Sequence, residues 1–94
     1  MENLGEKVWI FHGAGGRFAS AVFSELAIAE KWINGYRLSG VLTEYRLNEG
    51  AYDSAVATGY FEVKKAEHQS PEFIQKFSSG SQEHYHYEDG ERES

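Results

Sequence analysis

The spacing of apolar and polar residues changes period several times along the chain, and each change marks the edge of an element. Lys7 to His12 (Lys-Val-Trp-Ile-Phe-His) is β-branched and aromatic on both alternations, which predicts a mostly buried strand. Gly13-Ala14-Gly15-Gly16 ends it. Arg17 to Phe23 then alternates Phe18, Ser20 and Val22 with Ala19, Ala21 and Phe23, so a second strand is predicted, joined to the first by a glycine-rich hairpin loop. Ser24 is suited to cap a helix, with Glu25 in its first turn and Gly35 at a left-handed stop. Between them Ala29, Trp32 and Ile33, continued by Tyr36, form the apolar stripe of an amphipathic helix over Glu25 to Asn34.

Gly40 to Leu47 returns to a period of two and predicts a third strand, ended by Asn48-Glu49-Gly50. Ala51 to Thr58 is a short helix with Tyr52, Ala55 and Val56 on one face and Gly59 as its stop. Tyr60 to Val63 reads as extended chain or a short edge strand. Ser70-Pro71 starts another brief helix, with proline at the first helical position and Phe73, Ile74 and Phe77 on its buried side. After the loop Ser78 to Ser81, Gln82 to Glu88 alternates like a strand, and the residues beyond it have nothing apolar to bury.

Two consecutive strands with no helix between them imply antiparallel pairing. The expected fold is α+β, a small and mostly antiparallel sheet of three to five strands packed on one main helix and two short helices. A length of 94 residues leaves room for one core, because separate domains need roughly 50 residues each. The expected organisation is one globular domain over residues 1–88 and a disordered acidic tail over 89–94.

An apolar share of 40% and an aromatic share of 15% exclude a disordered chain. No cysteine is present, which removes disulfides and thiolate metal sites and points to a reducing, cytoplasmic setting. The first apolar run, Val8 to Phe11, is far too short for a signal sequence, and no run approaches a membrane span. Net charge is −6, and its placement is uneven. Residues 81–94 hold five acids (Glu83, Glu88, Asp89, Glu91, Glu93) and one base (Arg92), or −4; residues 1–80 hold ten acids and eight bases, or −2. That sign disfavours nucleic acid and suits a basic protein partner.

The loop His12-Gly13-Ala14-Gly15-Gly16-Arg17 lacks the lysine and spacing of a phosphate-binding loop and the third glycine and helix of a dinucleotide fingerprint. It also lacks the serine elbow that accompanies a similar string in α/β-hydrolases, so a hairpin turn is the expectation. His84 and His86, spaced i, i+2, share a strand face on which two imidazoles are candidate metal ligands, with His12 and His68 available to complete a site. Tyr85 and Tyr87 fall on the opposite face and should pack on the core with their hydroxyls at its rim. A catalytic pairing of His12, His84 or His86 with Glu44 or Asp53 has no support in spacing, and no enzyme and no cofactor are expected. With fourteen aromatic side chains (six Phe, six Tyr, two Trp) and one small core, some aromatics should reach the surface, as in protein interfaces.

The blocks Val8-Trp9-Ile10-Phe11-His12-Gly13-Ala14, Leu38-Ser39-Gly40-Val41-Leu42-Thr43-Glu44-Tyr45 and Ser81-Gln82-Glu83-His84-Tyr85-His86-Tyr87 resemble a family of small bacterial domains of unknown function. Arg17 to Ser20, Val22-Phe23 and Ser70 to Ile74 extend the resemblance over about residues 7–88. It implies no established chemistry and no site residue. In size and charge, though not in motif, the chain is similar to immunity proteins that neutralise toxins passed between bacteria. The resulting expectation is a non-enzymatic protein-binding domain that occludes a basic toxin through Trp9, Glu83, Tyr85, Tyr87, Glu88 and Asp89. The alternative is a small histidine-based metal-binding enzyme or sensor, and a homodimer through a strand edge is compatible with either.

Overall fold

The structure, a computed structural model, describes residues 6–80 and 82–93. Met1 to Gly5, Ser81 and Ser94, which belong to the expected domain, loop and tail, lie outside the described residues. The fold is α+β, as the pattern predicted. Strands β1 (Lys7–Gly13), β2 (Ala21–Phe23), β3 (Gly40–Arg46), β4 (His84–Glu88) and β5 (Glu91–Arg92) form a single sheet in the order β2-β1-β3-β4-β5. Every neighbouring pair is antiparallel. The main helix, α1 (Leu26–Tyr36), connects β2 to β3, and two short helices, α2 (Ala51–Thr58) and α3 (Pro71–Gln75), separate β3 from β4.

Because side chains alternate across a pleated strand, the register sorts each strand into two faces. Phe11 stands opposite Ala21 on one side and Leu42 on the other, and Leu42 stands opposite Tyr85. Trp9 and Tyr87 belong to the same face, which α1 covers. Ala29 and Ile33, four residues apart on α1, meet Trp9, Phe11, Leu42 and Tyr87 in the buried core. Phe11, Ile33 and Leu42 are its fully buried large side chains.

Close backbone approach fixes one end of this layer. Gly13 pairs with Gly40, and a Cβ on Gly40 would lie 2.4 Å from the His12 carbonyl oxygen and 2.8 Å from the Gly13 Cα. No side chain fits there. At the helix C-terminus the Leu38 N–H donates to the Ile33 carbonyl (3.0 Å) and the Arg37 N–H to that of Asn34 (3.2 Å), a Schellman closure with Arg37 at φ 59°. The stop therefore falls two residues beyond Gly35, on an arginine in the left-handed region. Ser24 does not cap the helix; Glu25 occupies that position without a side-chain hydrogen bond.

Other elements differ from their predicted extents. β2 is confined to Ala21–Phe23: the Ser20 N–H still donates across to the Phe11 carbonyl (2.9 Å), but ahead of it the chain leaves the ladder and turns, with the Gly16 N–H donating to the Gly13 carbonyl (3.0 Å). Phe18 is accordingly 76% exposed, and Tyr36, expected in the helix stripe, is 71% exposed. Residues 60–63 form no strand. α2, a 3-10 turn over Ala66–Gln69 and α3 build a separate aromatic cluster, in which Tyr52, Phe61 and Phe73 surround Phe77 with ring centroids 5.2 to 5.9 Å away. Ser70 caps α3 by accepting from the Phe73 N–H at 3.1 Å, and Pro71 follows it, as predicted. Ile74 faces outward instead of completing that helix's buried side.

The expected frayed tail is replaced by structure. Residues 89–92 turn and return as β5, so the domain continues past residue 88. Its cause is tertiary, since the segment contributes polar anchoring and not apolar burial.

Two substitutions test this packing. Leu42→Ala should destabilise the domain by about 2–5 kcal/mol through lost burial and a residual cavity. Gly40→Ala should cost roughly 1–3 kcal/mol from the forced backbone shift. Urea unfolding followed by tryptophan fluorescence measures both.

Candidate functional site

The C-terminal hairpin carries the largest departure from expectation and most of the chain's uneven charge. Tyr87 pairs with Arg92 and Glu88 with Glu91, across a two-residue turn in which Asp89 has φ 50° and Gly90 φ 88°. Positive φ at both central residues defines the turn that matches strand twist, and Asp-Gly is its favoured sequence. The turn docks on the end of α1: the Gly90 N–H donates to the Leu38 carbonyl (2.7 Å) and the Asp89 N–H to Ser39 Oγ (2.9 Å). Gly90 is buried, and a Cβ there would lie 2.9 Å from the Arg37 Cα.

A second attachment lies one residue pair along the ladder. Glu30 of α1 accepts from the Tyr87 hydroxyl at 2.5 Å, from Arg92 Nε at 2.7 Å and from Arg92 Nη2, all on the same carboxylate oxygen Oε2. The Arg92 guanidinium also lies 3.9 Å above the Tyr85 ring, and Tyr85 is stacked on Trp9 with centroids 5.8 Å apart. Burial alone would raise the Glu30 carboxyl, but hydrogen bonds from Tyr87 and Arg92 and the charge of Arg92 outweigh it and leave the group below the ordinary carboxylate value. Burial and the bond to Glu30 raise the Tyr87 phenol, and the bond to Glu30 raises Arg92.

This arrangement divides the hairpin's charge by side. Arg92, opposite Tyr87, lies on the α1 face and is engaged there. Glu88 and Glu91 oppose each other on the other face, and Glu93 joins them, its N–H donating to the His86 carbonyl at 2.8 Å. All three are exposed. Like charges directly across a ladder destabilise it, so Glu88 and Glu91 stand in a placement that folding alone does not favour. The one base of the segment is turned away from them.

The six residues expected at a partner contact separate accordingly. Trp9 is 7% and Tyr87 4% exposed, and both are core side chains, which corrects the reading that either is free to contact a partner. Tyr85 is half-buried between Trp9 and Arg92 and donates to Glu83 Oε1 at 3.3 Å. Glu83, Glu88 and Asp89 are exposed.

The histidines are divided as well. His12, His84 and His86 share the face opposite α1, with His84 and His86 edge to face at 5.5 Å, while His68 lies in the helical cluster, 5.2 Å from Phe61 and 5.0 Å from Phe73 between centroids. Among the described residues no group of three or more His, Cys, Asp or Glu side chains is placed to hold a metal ion. His12 instead turns to its own loop, with Nε2 2.6 Å from the Gly16 carbonyl oxygen. Glu44 pairs with Lys7 at 3.6 Å on the opposite face of the sheet, and Asp53 sits on α2, so neither joins a histidine.

Glu30, Gly90, Glu91, Arg92 and Glu93 are the residues of this site that the pattern did not single out. Asp89-Gly90 was the available signal for the hairpin; nothing local to Glu30 marks it as a receptor 62 residues before Arg92.

The chain belongs to a family defined by a domain of unknown function, DUF7710, whose model matches residues 8–93. The match spans β5, in agreement with a domain that includes the hairpin. No curated protein and no solved structure matches the chain. Among the described residues no helix is long and apolar enough to cross a membrane.

A lowered carboxyl in the folded state contributes stability that is present above the ordinary glutamate range and is lost as pH falls through the folded value. The hairpin should therefore loosen on acidification below about pH 4. Glu30→Gln should lower stability at neutral pH by about 1 kcal/mol, discounted for partial exposure, and flatten the acid limb. Near-ultraviolet circular dichroism against pH reads both effects.

Proposed function

We propose that the chain is a non-enzymatic protein-binding domain, most concretely an immunity protein that occludes a basic toxin domain. The observation that carries this reading is the outward Glu88, Glu91 and Glu93 group beside an Arg92 engaged by Glu30. A cross-strand pair of like charges is a local cost, and such costs concentrate where a surface serves binding. Ordered carboxylates steer a basic protein toward this edge, raising its association rate at low salt, and the docked hairpin presents them without a further ordering step. The partner's lysines and arginines would relieve the repulsion that the free domain retains. No cofactor enters this role.

Affinity capture with the full chain, followed by co-expression of the captured protein, tests the reading. A stoichiometric partner of positive net charge whose toxicity the chain suppresses is expected. Recovery of no such partner from the native organism, or a partner that remains toxic when bound, would overturn it. In the same assay Glu88→Gln/Glu91→Gln should raise the stability of the free domain by up to about 1 kcal/mol yet slow association with the partner. Stopped-flow association at two ionic strengths separates these effects.

A further inference from the structure

The side of the sheet opposite α1 is unusual in having an uncharged centre. The pleat brings Val8, Ile10, Val41, Thr43 and Tyr45 to it, in the central strands β1 and β3; each is half-buried and none carries a charge. Val22 on β2 joins them and is 62% exposed. A strand apolar on both alternations, such as β1, is the pattern of a sheet covered on both sides, yet α1 covers one. On the same face the apolar centre passes through His12, His84 and His86 to Glu88, Glu91 and Glu93 at the margin. Between the glycine-rich loop and that margin lies a hollow of about 530 Å³, lined by His12, Gly16, Val41, His86, Glu88 and Glu93.

We propose that this face seats the basic partner, which lays apolar side chains on Ile10, Val41 and Tyr45 and places a lysine or arginine in the hollow beside Glu88 and Glu93. The inference rests on the protein-binding reading above and adds the surface and the chemistry of its occupant. An apolar centre with a charged rim is the ordinary anatomy of a protein interface. Charge selects the occupant: a second copy would bring the same three carboxylates and a net charge of −6 against this face, whereas a basic partner complements it. The hollow suits a long cationic side chain, whose apolar stem lies along Val41 while its head reaches the carboxylates.

The test uses the full chain labelled with nitrogen-15 and three synthetic peptides: acetyl-Lys-Leu-Arg-Leu-Lys-amide, its counterpart with glycine for leucine, and its counterpart with glutamate for each base. The leucine peptide should shift the amides of Ile10, His12, Val41, His86 and Glu88 together. The glycine peptide should bind about tenfold more weakly, equivalent to roughly 1.4 kcal/mol of lost apolar contact, and the acidic peptide should not bind. Ile10→Thr/Val41→Thr should erase the difference between the leucine and glycine peptides, and Glu88→Gln/Glu93→Gln should weaken both; unchanged amide shifts on the α1 side verify the fold of each. Equal binding of the leucine and glycine peptides, confined to hairpin amides, would overturn the proposed seat while leaving a basic partner in place. Failure of both basic peptides to bind would overturn both proposals. Light scattering that shows a dimer, with its Ile10 and Val41 amides shifting on dilution, would replace the basic occupant with a second copy.

Discussion

One helix covers one side of the sheet, and the rest of the molecule follows from that asymmetry. Period-two alternation sends Trp9, Phe11, Leu42 and Tyr87 beneath α1, and Ala29 and Ile33 close the layer over them. With so few fully buried large side chains, the domain has little surplus stability to absorb faults in this layer. Small residues at the points of closest approach, Gly13 against Gly40 and Gly90 against Arg37, bring the backbone near enough for the layer to close.

The same helix governs the end of the chain. Its C-terminal closure presents Leu38 and Ser39 to the β4–β5 turn, and its middle presents Glu30 to Tyr87 and Arg92. A two-residue edge strand has too few ladder bonds to persist alone, and polar attachment to the helix holds what apolar burial does not. Charge is thereby distributed by geometry: the cation is drawn to the covered side, and the anions are left on the open one.

How far the sequence discloses this depends on the range of each interaction. Helix α1, the Ser70-Pro71 start and strands β1, β3 and β4 follow from local periodicity and capping, and they form close to where the pattern places them. β2 is shorter than the alternation suggests because Arg17 to Ala19 belong to the loop, and backbone bonding to β1 begins only at Ser20. The helix stop at Arg37 escaped because Gly35 is the better local candidate, and tertiary contact with Gly90 outranks that preference. The tail lacks the hydrophobic content by which local pattern signals order, yet residues 89–92 are ordered. Its order comes instead from a turn sequence and a carboxylate distant in the chain. Among the candidate site residues, exposed Glu83, Glu88 and Asp89 were legible as charge, whereas Trp9 and Tyr87 were drawn into the core by the face they share with Phe11 and Leu42.

Engaging Arg92 on one side while Glu88, Glu91 and Glu93 occupy the other gives this edge of the domain an electric moment across its thickness. A uniformly acidic surface attracts a cation from any direction. A polarised edge also exerts a torque, turning the molecule so that its open face leads the approach before any contact forms. Register places Arg92 on the covered side, opposite Tyr87, and the Glu30 carboxylate neutralises it there, so the carboxylates of the open face dominate the moment.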